Sequence, residues 1–320
     1  MKVFVTGGAG FIGSQYVRAM LAGEYAGYED AEITVFDLLT YAGNTANLPI
    51  GHERLTFVQG DIRDPQALAA QLPGHDAVVH FAAESHVDRS LVGAAPFMSS
   101  NVLGTQQLLD AAVTAEVATF VHVSTDEVYG SIETGSWDEN EPLLPNSPYS
   151  ASKAGSDLCA RAAWRTHGLD VRITRCSNNY GPYQNIEKLI PLFITNLLRG
   201  GTVPLYGDGR NVREWLHVTD HCAAIQLVLT QGSAGEIYNI GSGVEVTNAE
   251  ITHRLIELLG ADASSIRHVA DRKGHDLRYS LDLGKITKLG FTPAVDFADG
   301  LRSTVDWYRD NTSWWSADAR

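Results

Sequence analysis

The chain has 320 residues, with 38 acidic against 24 basic side chains, a net charge of −14, 44% hydrophobic and 19% charged residues. That length suggests about two domains; the composition is too apolar for a disordered chain and too acidic for the basic surface nucleic acids need. The imbalance is local: residues 1–150 carry 5 basic and 19 acidic side chains, residues 151–320 carry 19 of each. In chain order, Lys2–Thr6 reads as a strand entering a glycine turn, its apolar run too short for a signal peptide. Phe11–Ala22 follows as a helix, then strands at Glu32–Asp37 and Leu55–Gln59, a helix at Pro65–Gln71 and a strand at Ala77–Phe81. Asn101–Ala115 reads as a helix, Phe120–Ser124 as a strand, Tyr149–His167 as a helix and Leu169–Arg175 as a strand. Such alternation implies βαβ units and a parallel sheet covered on both faces. Beyond it, 178–182 and 206–209 read as turn-rich loops, His217–Thr230 as a helix, Glu236–Ile240 as a strand and Phe297–Asp310 as a last helix. No apolar run approaches the ~20 residues of a membrane span. Cys159, Cys176 and Cys222 are odd in number and far apart, which predicts free thiols in a reducing cytoplasm and no metal site.

The first turn reads Gly7-Gly-Ala-Gly10-Phe11-Ile12-Gly13 between strand and helix. Glycines there allow a tight turn and close approach to a pyrophosphate, which the helix N-terminus then attracts. Asp37 ends the second strand, where a carboxylate binds a ribose hydroxyl and repels a 2′-phosphate, so the expected cofactor is NAD in a Rossmann-type doubly wound parallel sheet. Asp61-Ile62 after the third strand either brackets the adenine or caps the strand.

Tyr149 and Lys153 lie four apart, on one face of a helix. An ammonium beside a phenol favours the phenolate, a proton acceptor for an alcohol being oxidised. Ser124-Thr125-Asp126-Glu127 ends the preceding strand, and carboxyl ends of parallel strands face the ligand crevice. Thr125 is placed to bond the reacting oxygen. Asp126 and Glu127 are either an acid–base pair with separated pKa values or a solvated acidic turn.

Together these residues resemble the extended short-chain dehydrogenase/reductase family over essentially the whole chain. Within it, the runs at 82–90, 124–130, 178–183 and 271–279, with 39–44, are similar to the sugar-nucleotide 4,6-dehydratase branch that acts on dTDP-glucose. The resemblance implies conversion of dTDP-glucose to dTDP-4-keto-6-deoxyglucose and water. In that scheme Tyr149, assisted by Lys153 and Thr125, takes the O4 proton as hydride leaves C4 for NAD. Glu127 then removes the C5 proton, Asp126 protonates the departing C6 hydroxyl, and hydride returns to C6. NAD is regenerated each turnover and stays bound.

The same resemblance places Leu38, Thr40, Phe81, Ala82, Ala83, Ser100 and Asn179 at NAD beside the glycine-loop residues, Asp37, Asp61, Ile62, Tyr149 and Lys153. It places Ser85, Thr125, Asn178, Glu187, Lys188, Leu189, Pro204, Tyr206, Arg213, Asn248, Arg272, His275 and Tyr279 at the substrate. On chemistry alone, Arg213 and Arg272 suit a diphosphate, while Tyr206 either stacks on a base or sits in a core. The expected division is an NAD-binding domain of 1–176 with about 215–241, and a smaller mixed α/β sugar-nucleotide domain of about 177–214 with 242–320. Asn101–Ala115 and Ser150–His167, with Leu108, Leu109, Leu158 and Trp164 as exposed apolar candidates, are expected to form a four-helix homodimer interface. No membrane or nucleic-acid partner is expected. A 4-epimerase, another sugar-nucleotide dehydratase or a non-catalytic NAD sensor remain the competing readings, and Trp314-Trp315 is either a docking anchor or a frayed end.

Overall fold

The computed structural model describes residues 1–316. Seven strands form the main sheet: β1 (Lys2–Thr6), β2 (Glu32–Asp37), β3 (Leu55–Gln59), β4 (Ala77–His80), β5 (Thr119–Thr125), β6 (Val171–Cys176) and, much later in the chain, Ile237–Ile240. Their order is Ile237–Ile240, β6, β5, β4, β1, β2, β3, and every pairing is parallel. The strand order reverses between β1 and β4, so the crevice beyond their carboxyl ends is the expected ligand site of a doubly wound sheet.

Both faces of the sheet are covered. On one, helices Phe11–Leu21 and Val218–Gln231 bury Val3, Val5, Val35, Val79 and Val121. On the other, Pro65–Gln71, Thr105–Thr114 and Pro148–His167 bury Phe4, Phe36, Val78 and Phe120. The alternation along each strand sends successive side chains to opposite cores. A third core surrounds Ile190, Phe193, Ile251, Leu255, Leu301 and Val305, under helices Leu189–Leu198, Asn248–Leu259 and Phe297–Asp310. Two small sheets flank it: Glu245–Thr247, Val212–His217 and Asn178–Tyr180 in one, Ile266–Val269 and Val203–Tyr206 in the other.

Four expectations need correction. Asn178–Tyr180 is a strand, paired in parallel with Val212–His217, where a loop is expected; its partner lies more than thirty residues away and no local pattern announces it. The helix beginning near Asn101 starts as a π-helical segment, Met98–Gly104, before continuing as Thr105–Thr114. Gly104 packs so closely on Ile62 that a Cβ would fall 2.8 Å from its side chain. Leu108 and Leu109 are fully buried in the protomer's own core, because their helix covers the sheet; the exposed apolar residues of this region are Met98, Leu103 and Leu158. Finally, Leu283, Ile286, Leu289 and Phe291 return to the first core, so the chain after 242 is not confined to the third. Trp314 and Trp315 are docked: Trp315 is buried in the third core, and Trp314 Nε1 donates to Asn47 Oδ1 at 2.8 Å.

Candidate active site

A cleft of about 300 Å³ opens at the carboxyl ends of β1, β2, β4, β5 and β6. Gly7, Gly10, Phe11, Ile12, Gly13, Asp37, Leu38, Thr40, Asp61, Ile62, Phe81, Ala82, Ala83, Ser100, Tyr149, Lys153 and Asn179 all line it. The turn is built by its glycines. Gly7 has φ +68°, and a Cβ there would lie 2.5 Å from the Ala82 nitrogen; one on Gly13 would run into the Gly7 carbonyl. Helix Phe11–Leu21 starts at Gly10 with no side-chain cap, so its first N–H groups face the cleft as an anion site. Asp37 accepts from Ala9 N at 2.9 Å and Leu39 N at 2.8 Å, and burial raises its pKa against those bonds. Asp61 is held by Arg63 at 2.5 Å, which lowers its pKa. These residues fit a dinucleotide: an uncapped helix N-terminus for the pyrophosphate and a carboxylate at the end of β2 for a ribose.

A second cleft, of about 190 Å³, is lined by Glu187, Lys188, Leu189, Pro204, Tyr206, Arg213, Asn248, Arg272, His275 and Tyr279. Ser85 and Thr125 lie in the first cleft, and Glu127, Asn178 and Lys188 line both. Arg213 is buried, its guanidinium 4.4 Å over the Tyr279 ring and donating to the carbonyls of Val212 (2.7 Å) and Asp276 (2.9 Å). Arg272 sits 3.5 Å from Asp88, and its Nε is buried without a partner. Lys188 donates to the Ser85 carbonyl at 2.6 Å. Asn248 Oδ1 is likewise buried and unpartnered. This is a cationic cleft with unsatisfied polar groups, suited to an anion with a polar body. Arg89 grips the Glu187 carboxylate through Nε and Nη2, and His275 is anchored to Asp271 at 2.6 Å.

The two clefts meet at the end of β5. Thr125 is extended and caps a short turn, Asp126–Tyr129, which Gly130 ends at φ +86°. Opposite, helix Pro148–His167 starts at a Ser147–Ser150 capping box with Pro148 in its first turn, which sets Tyr149 and Lys153 on the face turned to the sheet. Lys153 Nζ donates to the Val123 carbonyl at 2.8 Å. That alters the expected pairing: burial, then the charge of Glu127, hold the Tyr149 phenol well above its ordinary pKa, and Thr125 hydrogen bonding only partly opposes them. The Lys153 head is turned to the strand, behind Tyr149. Burial lowers Lys153 to about 8.

Asp126 and Glu127 are not a solvated turn. Asp126 is buried behind the clefts, and burial followed by the charges of Glu127 and Glu214 raises its pKa well above the carboxylate range. Glu127 is also raised by burial, but Arg272, Lys188 and Arg213 oppose the shift. Two adjacent carboxyls thus differ in their surroundings: burial and neighbouring carboxylates favour the protonated, donating form of Asp126, while three cations partly offset the same push at Glu127. Glu214, which the sequence reading missed, accepts from Ser242 N at 2.7 Å and Gly243 N at 2.9 Å beneath Asp126. His86, Asp88 and Trp215 also line the second cleft unannounced; the first two lie within the run at 82–90, the one signal that could have found them.

A family profile for GDP-mannose 4,6 dehydratase matches residues 4–304. The dTDP-glucose 4,6-dehydratase of Streptomyces niveus is 58% identical over 98% of this chain and 95% of its own length. The chain belongs to the nucleotide-sugar 4,6-dehydratase family, a class of Rossmann-type enzymes. More particularly, it is similar to the dTDP-glucose 4,6-dehydratase of Streptomyces venezuelae crystallised with NAD, at 66% identity, full coverage of both chains and a TM-score of 0.98. The UDP-glucose 4-epimerase of Thermus thermophilus, also solved with NAD, shares the fold at 32% identity, covering 97% of this chain and all of its own, with a TM-score of 0.89. The fold is therefore common to both reactions, and the site must separate them.

Proposed function

We propose that the chain is a dTDP-glucose 4,6-dehydratase, an NAD-dependent hydro-lyase forming dTDP-4-keto-6-deoxyglucose and water. The observation that carries this reading is the pair at the end of β5: Glu127 lines both clefts, and Asp126 beside it is pushed towards its protonated form by burial and by the charges of Glu127 and Glu214. An epimerase needs only proton and hydride exchange at one carbon, so a second carboxyl beside the first, in different surroundings, serves no purpose there. An elimination needs both.

NAD, held by the glycine loop, Asp37 and the lining of the first cleft, supplies the hydride acceptor for C4 and the hydride donor for C6 and so ends each cycle unchanged. Tyr149, with Thr125 beside it, receives the O4 proton, and the ammonium of Lys153 behind them favours the phenolate. The C4 ketone makes the C5 proton acidic, and Glu127 removes it. Asp126 gives its proton to the C6 hydroxyl, which leaves as water. Glu127 then returns its proton to C5 as C6 is reduced. Arg213, Arg272 and Lys188 hold the diphosphate, and Tyr206 and His275 form the far wall of the cleft at the nucleobase end. The nucleotide assignment is supported by the similarity to dTDP-glucose enzymes.

Residues 1–176 with about 215–241, which include helix Val218–Gln231 and the strand Ile237–Ile240, form the NAD domain of this reading, and about 177–214 with 242–320, around the third core, form the substrate domain. Met98, Leu103 and Leu158, exposed on the neighbouring helices, support a homodimer; light scattering at twice the chain mass tests it. The free cysteines, and the lack among the described residues of a helix long and apolar enough to cross a membrane, support a cytoplasmic enzyme. Incubation with dTDP-glucose, UDP-glucose and UDP-N-acetylglucosamine tests the function: a 4-keto-6-deoxy product from dTDP-glucose is expected, and 4-epimer from a UDP-sugar would overturn it.

A further inference from the structure

We propose that Asp157 is the counter-ion of Lys153, a positioning residue that keeps the lysine head charged and fixed at the floor of the cofactor cleft. Tyr149, Lys153 and Asp157 follow at i, i+4 and i+8 of one helix, so they form a line on a single face, and all three are buried. Lys153 reaches the Val123 carbonyl of β5. One turn further on, Asp157 faces the adjacent residue of that strand, with His122 Nε2 at 3.3 Å from its Oδ1. From β6, Arg175 Nε donates to its Oδ2 at 2.9 Å. Arg175 is braced in turn by the Tyr129 hydroxyl at 2.8 Å, which donates to Asn239 Oδ1 at 2.8 Å.

The charges around this line leave Asp157 no substitute. On β4 and β5, burial, with the Lys153 charge among the lesser causes, pushes His80 and His122 towards their neutral forms. On β6 the Cys176 thiol is pushed up by burial, and burial likewise favours the protonated form of Asp126 beyond Tyr149. Glu127 faces the substrate cations Arg272, Lys188 and Arg213. Asp110, on the helix packed alongside, acts at Cys159 on the outer part of the helix. Burial would raise Asp157, but Arg175 and His122 draw it down to about 2, so it is ionised throughout the working range. Burial pulls Lys153 down to about 8, and Asp157 is the largest charge opposing the fall. Without it, two buried cations stand uncompensated.

The proposal rests on Lys153 serving the reaction described above, but its test does not. The chain contains six lysines, so in protein labelled with 13C at lysine Cε the Lys153 signal is assigned by its loss in Lys153→Met and titrated without cofactor or substrate. In Asp157→Asn the Lys153 ammonium is expected to hold its proton about tenfold less tightly, and Asp157→Glu to restore it. Asp157→Asn/Arg175→Met removes the buried pair together and avoids a stranded charge if the single variant does not fold. Lys153 should still lose affinity for its proton there, because Asp157 is the charge it feels. In turnover, the pH at which substrate ceases to reduce the bound cofactor should fall in the same variants. An unmoved Lys153 titration in either variant overturns the proposal. So does lowered thermal stability with an unchanged pH profile, the outcome of a purely structural ion pair.

Discussion

Replacing Glu127 by glutamine keeps the shape of the residue where the two clefts meet and removes its ability to take a proton. General base catalysis contributes about 10²–10⁴-fold, or ~3–5.5 kcal/mol of barrier, so turnover should fall by about a thousandfold. The oxidation at C4 uses Tyr149, Lys153 and Thr125, which the change leaves in place. It should even become easier, because after burial the Glu127 charge is the next cause holding Tyr149 in its protonated form. Substrate affinity should not suffer, since Arg272, Lys188 and Arg213 lose a carboxylate that competes with the diphosphate. The assay is a single-turnover mix with dTDP-glucose, following the near-ultraviolet absorbance of reduced cofactor alongside product by chromatography. Reduced cofactor should accumulate while product does not. Turnover within about tenfold of the parent, or no reduced cofactor at all, refutes Glu127 as the C5 base.

Asp126→Asn should be nearly inactive yet more stable than the parent at alkaline pH. A carboxyl whose folded pKa is raised contributes stability below its unfolded pKa and loses it as pH rises through the folded one, so the Tm difference should widen with pH; a constant difference contradicts the neutral acid. Arg213→Met removes a buried, charge-assisted donor worth about 1.5–3 kcal/mol, so calorimetry should show dTDP binding weakened about 10–150-fold with NAD retained; equal losses of both ligands contradict the division of the clefts. Gly13→Ala sets a Cβ against the Gly7 carbonyl and 2.9 Å from Gly8 Cα, an overpacking cost of about 1–3 kcal/mol that should lower Tm and release NAD, whereas an unchanged Tm denies the tight turn.

What could be read from the chain before folding was what is local. The strands Lys2–Thr6, Glu32–Asp37 and Leu55–Gln59 alternate or run apolar between glycine and proline punctuation, and Gly7–Gly13 carries its geometry in its composition. Tyr149 and Lys153 are visible because a helix fixes four residues to one face. Asp157 carries the same signal at i+8 and went unread, since a single buried carboxylate declares itself only when Arg175 and His122 arrive from other strands. Asn178–Tyr180 is a strand only by virtue of Val212–His217. Leu108 and Leu109 show the reverse failure: an apolar helix face does not say whether its own sheet or a second subunit covers it. The ionisation of Asp126 and Glu127 was likewise invisible, because Glu214, Arg213 and Arg272 set it from the far half of the chain.

The charge asymmetry acquires a physical meaning in the fold. The acidic first half offers the cofactor backbone N–H groups and a helix end, which need few cations. Lys188, Arg213 and Arg272 all come from the second half and line the cleft of the other anion.

The central claim, elimination between an internal oxidation and reduction, is tested most directly with dTDP-glucose carrying deuterium at C4. The account predicts a 4-keto-6-deoxy product with that deuterium at C6, since the hydrogen removed at the start is the one returned at the end. Product whose deuterium stays at C4 with the hexose intact, or whose C6 hydrogens come wholly from solvent, would contradict it.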